Sequence, residues 1–464
     1  MIKFISIKFW QQGDRQMKVC KFGGSSVSSP EMIKKVAKII KDDPLRKFVI
    51  VSAPGKRNET DTKVTDLLIR LGEQYLSGQD YKSTLDLITS RFLSITNGLQ
   101  LSNTIVTRIE KQIEHIIHDI HNTWHMFDAL KAMGEDSLAR ILSAYLNQMD
   151  VPATYINPKD AGIIVSDEPG KAQILDKSYE NIYKLRDREG VIVIPGFFGY
   201  TEEGVLTTFP RGGSDITGSI IAAGVEAKTY ENFTDVSSIY CVNPKIVDNP
   251  KEIAVLTYKE MRELSYAGFS VFHDEALIPA FKKNIPVVVK NTNKPYEKGT
   301  KIVAEKIEQN GPVVGIASDQ GFSTIFVSKY LMNRELGFGK QLLEILVEEN
   351  ISFEHAPSGI DDMSVIVRSS QLTKEKEKVL ISRIKHELNV DMISITHGLA
   401  IIMLVGEGMG RKINVAAKAT RAFGNAEVNI EMINQGSSEV SMMFGIHEDD
   451  LEKAVQSLYE EFFN

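Results

Sequence analysis

The chain has little of what marks secreted, membrane-spanning or nucleic-acid-binding proteins. Its 464 residues include two cysteines, too few for a disulfide framework or a cysteine-based zinc site. No apolar run approaches the roughly 18 residues that a membrane-spanning helix needs. Acidic residues outnumber basic ones by 61 to 54, and no basic stretch is concentrated enough to favour nucleic acid. These deficits predict a cytoplasmic protein with no membrane or nucleic-acid partner, and with reduced, buried thiols at Cys20 and Cys241.

Two further features are missing from the sequence. It has no G-x-x-x-x-G-K-[ST] segment, which excludes a P-loop kinase. Residues 1–16 carry lysines at positions 3 and 8 and lack a small-residue cleavage site, which argues against a secretory signal. Because the first strong strand pattern starts at Met17, we interpret residues 1–16 as an N-terminal extension.

From Met17 to about residue 303, short apolar runs alternate with helical patterns. Strands separated by helical crossovers predict a mainly parallel sheet with helices on both faces, a three-layer α/β domain over residues 17–305. The helical excursion at 61–148 is longer than a crossover needs and predicts a lobe over one side of a site. The predicted strands include 49–52, 153–156, 191–195 and 286–289, and the predicted helices include 31–41, 214–224 and 258–266.

Beyond residue 299 the pattern changes to an internal repeat with an offset of about 77 residues. Each unit reads strand, helix, strand, strand, helix, which predicts two successive ferredoxin-like (βαββαβ) modules at 306–390 and 391–464. The predicted elements are 322–329, 338–349, 351–355, 363–368 and 373–388 in the first module, and 399–405, 411–423, 427–432, 440–446 and 448–462 in the second.

The segment KFGGSSV at 21–27 is the first of three motifs that indicate phosphate chemistry. It follows a strand and precedes a helical pattern, so its backbone N–H groups and hydroxyls suit phosphate oxygens. Lys21, at the strand end, can reach a phosphoryl group in transfer. Taken alone, the segment fits a tight turn with a solvated lysine equally well.

Two more motifs follow. In RGGSD at 211–215, Arg211 can clamp a carboxylate through parallel hydrogen bonds, and Asp215 can hold Lys21 or face a metal–phosphate cluster. The alternative is a helix-capping aspartate beside a surface arginine. The segment TDVSSIY at 234–240, with NPK at 243–245, offers groups suited to ribose, base and phosphate; the alternative is a β-turn with a core tyrosine.

Together the motifs resemble those of the amino acid kinase superfamily, and their exact residues resemble those of aspartate kinases. They occur in the family's order and spacing, and the resemblance runs from Met17 through both repeats, which look like ACT domains. The resemblance implies transfer of the γ-phosphate of ATP, with Mg²⁺, to the side-chain carboxylate of L-aspartate. The product, 4-phospho-L-aspartate, would begin a route to lysine, threonine and methionine. The resemblance also implies a homodimer or homotetramer formed through the ACT domains.

Roles for individual residues follow from the same resemblance. Lys21 and Asp215 match the catalytic pair, Arg211 the group that grips the substrate carboxylate, and Glu135 the group that binds the substrate amino group. No metal ligand from the protein is implied. The other matches are phosphate-binding Gly23, Gly24 and Ser25; substrate-binding Ser52, Thr65, Gly212, Gly213 and Ser214; and ATP-binding Thr234, Asp235, Tyr240, Lys245 and Ser270.

The sequence departs from the family pattern near the nucleotide. Pro210 replaces the usual glycine before Arg211, and Ser270 stands where many relatives carry a nucleotide-contacting lysine. We expect Lys245 or Lys290 to supply the missing charge.

The segment FEHAPSGIDDMS at 353–364 resembles the sensor domains of monofunctional, lysine-sensitive aspartate kinases, some of which also need threonine. The resemblance implies feedback inhibition by lysine, possibly with threonine. In a split βαβ fold the effector would lie between the loop at 332–339 and a strand of a neighbouring module, with N–H groups at the helix start receiving its carboxylate. Acidic residues there favour a cationic side chain; the alternative is a solvated rim on modules that only dimerise. The predicted effector contacts are Met332, Glu335, Phe338, Gly339, Ser358, Asp361 and Asp362.

Other interpretations were weighed against this one. Histidines at 115, 118, 121 and 125 share a helical face, but no cysteine or clear acidic partner completes a zinc site, so a polar stripe is favoured. The G-x-G-x-G segment at 406–410 has the wrong spacing for a dinucleotide loop and is interpreted as a turn. A sister kinase acting on glutamate, acetylglutamate or carbamate, a bifunctional kinase–homoserine dehydrogenase and an inactive sensor remain the alternatives. The RGGSD motif and the paired repeats disfavour a sister kinase, and the chain's end soon after the second repeat disfavours the bifunctional enzyme. The charged residues retained in the motifs disfavour an inactive sensor.

Overall fold

The computed structural model describes residues 16–269, 272–273, 275–306, 311–436 and 440–464. These residues form two compact units. Of the described residues, the N-terminal unit contains those within 16–239, Glu252–Met261 and 272–306, and the C-terminal unit contains those within Tyr240–Lys251, 262–269 and 311–464. Two short segments that precede the predicted boundary at 305 therefore group with the C-terminal unit. Within the described residues, no helix has the length and apolar character needed to cross a membrane.

Strands and helices alternate up to residue 306, which confirms the predicted α/β class. The strands are β1 (Lys18–Phe22), β2 (Arg46–Val51), β3 (Ala153–Tyr155), β4 (Val191–Pro195), β5 (Phe198–Tyr200), β6 (Leu206–Thr208), β7 (Thr229–Thr234), β8 (Ile239–Tyr240), β9 (Glu252–Ile253), β10 (Val255–Thr257), β11 (Val287–Asn291) and β12 (Thr300–Val303). The helices are α1 (Pro30–Lys41), α2 (Val64–Leu76), α3 (Lys82–Gly98), α4 (Thr104–Asp119), α5 (Thr123–Gln148), α6 (Pro158–Ala161), α7 (Lys177–Tyr183), α8 (Gly213–Gly224), α9 (Tyr258–Tyr266) and α10 (Ile278–Lys282).

The main sheet has the order β10-β12-β11-β7-β1-β2-β4-β3. All its neighbouring pairs are parallel except β11 with β12, which is the mainly parallel arrangement that the sequence predicts. Central strand β1 is flanked by β2 and β7, so the carboxyl ends of these three strands meet at one edge. In open α/β sheets, ligands bind at that edge.

Helices cover both faces of this sheet. The predicted excursion at 61–148 consists of α2 to α5, and these helices share one apolar core with α1 and with Phe22, Val51 and Phe233 of the sheet. Helix α1 starts one residue before the predicted helix at 31–41; the Ser29 side chain accepts the Met32 N–H at its start, and proline occupies the first turn. Helix α8, made of small and apolar residues all round, is buried over nearly its whole length, as expected for a helix packed on both sides.

The C-terminal unit contains a six-stranded antiparallel sheet in the order β14-β15-β13-β16-β18-β17. Its strands are β13 (Gly315–Ser328), β14 (Phe353–His355), β15 (Asp362–Arg368), β16 (Met392–Val405), β17 (Met432–Asn434) and β18 (Ser441–His447). Its helices are α11 (Phe338–Glu348), α12 (Lys374–Glu387), α13 (Val415–Asn425) and α14 (Leu451–Phe463).

Two strands of this sheet are longer than predicted and serve both modules. The first half of β13 (residues 315–319) pairs with the second half of β16 (401–405), whereas residues 322–328 pair with 392–399. The second module therefore takes one strand from before the first module, which is inserted into it. A contiguous division at 390/391, as the repeat predicts, separates residues 392–399 from the first module and residues 315–319 from the second. The strand at 427–432 was also misplaced, since β17 begins at Met432.

Candidate active site

Lys21 lies at the carboxyl end of β1 and is 7% exposed. Its Nζ is 2.6 Å from Oδ1 of Asp215, in the first turn of α8, and the side-chain amide of Asn232 donates to the same oxygen at 2.6 Å. Lys21 and Asn232 are opposite each other in the β1–β7 register, so the sheet itself aligns them. The structure thus brings together two motifs that lie almost 200 residues apart in the sequence.

The glycine segment after β1 forms a short 3₁₀ turn at Gly24–Val27. The Gly23 N–H donates to the carbonyl of Phe233 at 3.0 Å, and the Gly55 N–H donates to the carbonyl of Gly24 at 2.9 Å. A Cβ on Gly55 would lie 2.7 Å from the carbonyl carbon of Gly24, so these two loops pack backbone to backbone. Ser25 is exposed at the tip of this turn. The turn therefore offers a rigid backbone surface at the sheet edge for a phosphate.

Glu135, in the middle of α5, is 5% exposed. Burial raises the pKa of its carboxyl to about 8, and the Ala53 N–H and the charge of Lys21 only partly oppose this rise. Among the described residues, its Oε2 has no hydrogen-bond partner. A buried carboxylate oxygen without a partner costs free energy, which makes Glu135 a group prepared for a ligand.

The predicted hydroxyls of Ser52 and Thr65 belong to sequence neighbours of Ala53 and Val64, which contact the Gly134-Glu135 segment. Ser52 directly follows β2, and its N–H donates to the carbonyl of Phe22 at 3.1 Å. Thr65 lies in the first turn of α2 and is partly exposed. Gly134 permits a close approach here, because a Cβ on it would lie 2.6 Å from the Cβ of Ala53.

The RGGSD segment begins α8 in a constrained turn. Gly212 has φ of 81°, a left-handed conformation that suits glycine. A Cβ on Gly213 would lie 2.5 Å from the ring of Phe197, so no larger residue fits there. Ser214 is buried against Gly196 at the start of the helix, whereas Arg211 is exposed just before it. Pro210 is accommodated in the approach to this turn.

A polar turn after β11 forms hydrogen bonds with two of the predicted loops, the glycine segment and the segment that starts at Thr234. The sequence motifs did not include this turn. Thr292 Oγ1 is 2.6 Å from Oγ of Ser26, and the Thr292 N–H donates to the carbonyl of Thr234 at 2.9 Å. The amide of Asn291 donates to the carbonyl of Asp235 at 3.2 Å. The available signal was the polar pair Asn291-Thr292 at the end of the apolar strand β11.

Four residues assigned to the nucleotide stay predictions. Tyr240 and Lys245 belong to the segment Tyr240–Lys251, which groups with the C-terminal unit, and Ser270 lies outside the described residues. Lys290 is in register with Phe233, so its side chain projects from the face of the sheet opposite to Asn232. A role for Lys290 in supplying the missing charge stays a prediction.

The predicted effector loops meet in the C-terminal unit. The Leu331 N–H donates to Oδ1 of Asp361 at 2.8 Å, and the Asn333 N–H donates to the carbonyl of Ile360 at 3.1 Å. Met332 and Phe338 are buried beneath these loops, Gly339 packs against the sulfur of Met363, and Ser358 forms a bridge to the same methionine.

The acidic residues there are already partly neutralised. Glu335 forms an ion pair with Lys329 at 2.5 Å, and the ammonium of Lys329 lies 5.7 Å from the centre of the Phe338 ring. Asp361 accepts a backbone N–H. Within the described part of the chain, Asp362 is therefore the carboxylate of the three with the fewest hydrogen bonds and ion pairs to other residues.

The helical histidines do not form a metal centre in the described part of the chain, where no group of three His, Cys, Asp or Glu residues is placed to hold a metal ion. His115 pairs with Asp119, and His125 with Asp167 at 2.9 Å.

Comparison with known proteins places the chain in a family. Residues 16–291 match the model of the amino acid kinase family, and residues 402–462 match an ACT domain. The chain is 54% identical to Aspartokinase 3 of Bacillus subtilis over 96% of its own length and 99% of the relative. The chain belongs to the aspartokinase family. The crystal structure of the Clostridium acetobutylicum aspartate kinase matches this aspartokinase with a TM-score of 0.85 and 39% identity, over 96% of this chain and 100% of the other.

A more distant relative is named for its regulation. The Lysine-sensitive aspartokinase 3 of Escherichia coli is 27% identical over 96% of this chain and 99% of the relative. The ACT match starts at 402, within the half of β16 that belongs to the second module.

Proposed function

We propose that this aspartokinase transfers the γ-phosphoryl group of ATP to the side-chain carboxylate of L-aspartate and releases 4-phospho-L-aspartate and ADP. The observation that carries the proposal is the position of Lys21 at the carboxyl edge of the sheet, paired with Asp215, within electrostatic range of Glu135 and beside the glycine turn. An oxygen of the substrate carboxylate attacks the γ-phosphorus, and the bond to the β–γ bridging oxygen breaks. No general base is needed, because an aspartate side chain with a pKa near 3.9 is ionised at neutral pH.

Positioning and charge supply the catalysis in this scheme. A carboxylate must approach a polyphosphate, so the repulsion between them is the main obstacle. The ammonium of Lys21, held at 2.6 Å by Asp215, stays aimed at the transferred group, and the N–H groups of the glycine turn add fixed positive dipoles.

Magnesium bound to ATP supplies further charge neutralisation. The ion would be held mainly by the phosphates, as is usual for magnesium at nucleotide sites, with at most one or two carboxylates from the protein. Both Lys21 and Asn232 contact Oδ1 of Asp215, so Oδ2 is the oxygen that suits such an ion or one of its waters.

Substrate recognition rests on two groups with opposite charges. Arg211 would hold the α-carboxylate of aspartate and Glu135 its α-ammonium, while Ser52, Thr65 and Ser214 line the site. With both backbone groups of the amino acid fixed, the side-chain carboxylate is the part left to face Lys21. A substrate with a longer side chain would place its carboxylate past the phosphorus.

The proposal predicts a steep substrate preference. In a coupled assay of ADP release, kcat/KM for L-aspartate should exceed that for L-glutamate by about 10- to 200-fold, the range for one methylene in a fitted pocket. N-acetyl-L-glutamate and carbamate should give background rates, because neither presents the free α-ammonium that Glu135 requires. Equal or faster turnover of any of these three compounds would assign the chain to a sister kinase instead.

We further propose that lysine, alone or with threonine, inhibits the enzyme through the effector loops, as expected for the first step of a route to lysine, threonine and methionine. The ACT match, the acidic residues of the two effector loops and the lysine sensitivity for which the Escherichia coli relative is named support this regulation. A lysine effector would compete with Lys329 for the acidic rim, and Asp362 is the carboxylate best placed to bind its ammonium.

Regulation gives a second prediction. Millimolar lysine, threonine or their mixture should raise the KM for aspartate or ATP by several-fold to about 100-fold, the usual range of allosteric coupling. Asp362→Ala should abolish the effect and leave uninhibited kcat unchanged. Glu344→Ala, which removes an exposed acid of α11 in the same module, is the matched control and should remain inhibited. KM values that stay unchanged with lysine, with threonine and with their mixture would refute the proposed regulation.

We also propose assembly into a homodimer or homotetramer through the ACT domains and a cytoplasmic location. The assembly is supported by exposed apolar side chains in the C-terminal unit close to the effector loops, namely Tyr330, Leu336 and Ile360, with exposures of 75%, 98% and 69%. Such residues are typical of surfaces that are covered by a partner.

A further inference from the structure

Asp128 is a buried carboxylate on α5 for which the reaction scheme above has no use. It is 1% exposed, and its Oδ2 accepts two backbone N–H groups, from Thr208 at 2.8 Å and from Gly170 at 3.0 Å. Its Oδ1 receives the ammonium of Lys131 at 2.6 Å. Burying a carboxylate is costly unless several donors compensate it, so this arrangement holds three separate segments at one point.

The backbone that Asp128 holds leads directly to Arg211. Thr208 is the last residue of β6, and its carbonyl accepts the Ala172 N–H at 3.1 Å. The next residue, Phe209, donates its N–H to the carbonyl of Phe197 at 2.8 Å. Only two residues then separate the end of β6 from Arg211, so a shift of Thr208 would be transmitted to the guanidinium.

The same helix carries Glu135, seven residues further on. In an α-helix, residues seven apart project in nearly the same direction and lie about 10 Å apart along the axis. Helix α5 therefore holds one predicted substrate contact, Glu135, on its own side chain and the other, Arg211, through the Asp128 clamp. The distance between the two groups that would grip the amino acid is set at Asp128.

We propose that Asp128 is a positioning residue for aspartate recognition, which fixes the Arg211 loop relative to Glu135. This inference rests on the proposed substrate roles of Arg211 and Glu135. Its carboxylate form matters, because one oxygen must accept two N–H groups while the other faces a lysine.

The proposal is tested with Asp128→Asn, measured at saturating concentration of the fixed substrate. The KM for aspartate should rise by about 10- to 100-fold, the effect of losing charge-assisted hydrogen bonds. The KM for ATP should stay within about twofold, as expected when the nucleotide side is independent of the changed site. In an Arg211→Ala background the same change should have little further effect, since its route to the substrate is already broken.

Glu260→Gln provides the matched control. Glu260 is also 1% exposed, accepts the Thr257 N–H at 2.9 Å and pairs with Lys306, but it lies outside the proposed site. Its loss should lower the melting temperature and leave the KM for aspartate unchanged. If Asp128→Asn behaves like this control, or if its effect multiplies in full with that of Arg211→Ala, Asp128 is only structural and the proposal fails.

A measurement on the unmodified protein covers the case in which Asp128→Asn does not fold. Saturating aspartate should slow hydrogen–deuterium exchange at the Thr208 and Gly170 amides, because a ligand that bridges Glu135 and Arg211 closes the clamp. Unchanged exchange at both amides would overturn the positioning role. If ADP release shows that aspartate is not the substrate, the proposed function fails first, and that result is separate from either outcome.

Discussion

Replacing Lys21 by methionine should lower kcat by about 100- to 1,000-fold, the cost of removing one fixed charge that stabilises a transition state. Methionine keeps most of the side-chain volume, so the 7% exposed position stays filled. Only the ammonium is lost, and with it the charge that faces the transferred phosphoryl group. The KM values for both substrates should change much less than kcat, because the repulsion is greatest when the two anions meet.

Lys18→Met is a closely matched control for this change. Lys18 lies on the same strand, three residues earlier, and also forms ion pairs, with Asp43 at 2.8 Å and Glu231 at 3.3 Å. It is at the opposite end of β1 from the glycine turn, so its loss should reduce stability while kcat stays near the wild-type value. If the two variants lose activity in parallel with their melting temperatures, Lys21 acts through stability and has no direct catalytic role.

Glu135 makes aspartate binding depend on pH. Burial raises its pKa to about 8, so in the free enzyme the carboxyl is mostly protonated at neutral pH. Binding an ammonium favours the ionised form, and the proton must then be released. The KM for aspartate should therefore fall as pH rises from 6 toward 8, by up to about tenfold per pH unit, and level off above the pKa.

Glu135→Gln should remove this dependence. An amide cannot ionise, so the KM for aspartate should become flat over the same range and, at pH 8, exceed the wild-type value by about 10- to 100-fold, the effect of losing a charged hydrogen-bond partner. The KM for ATP, measured at each pH in both proteins, reports titration of the nucleotide itself. A wild-type aspartate KM that does not change with pH, or a glutamine variant that keeps the slope, would remove Glu135 from the substrate ammonium.

The alternation of strands and helices in the N-terminal unit could be predicted because burial on both faces of a parallel sheet gives continuous apolar runs. The predicted strand at 191–195 and helix at 258–266 match β4 and α9 at both ends. The interleaving of the ACT modules could not be predicted. The first half of β16 alternates exposed and half-buried side chains and lacks a strong apolar run, and its pairing with β13 depends on contacts more than 60 residues apart.

At the site, the motifs predicted which residues end a strand or start a helix. They did not predict which side chains contact the same carboxylate oxygen. That Lys21 and Asn232 converge on Asp215 depends on the register of β1 with β7, which no local pattern encodes. The raised pKa of Glu135 likewise depends on its burial by other segments. The roles of Tyr240, Lys245 and Ser270 stay predictions.

The insertion of one ACT module into the other makes the first module a self-contained cassette. Phe322, where its first strand begins, lies opposite Leu399, where its last strand ends, so both junctions are at one point of the sheet. Asp319 and Ile401, the next paired residues outward, belong to the second module and face each other across the same ladder. A short hairpin joining them would restore an uninterrupted second module, and the excised segment would carry its effector loops with it. The module to which we assign the effector site could thus be exchanged at this one position of the sheet, without cutting the second module that holds it.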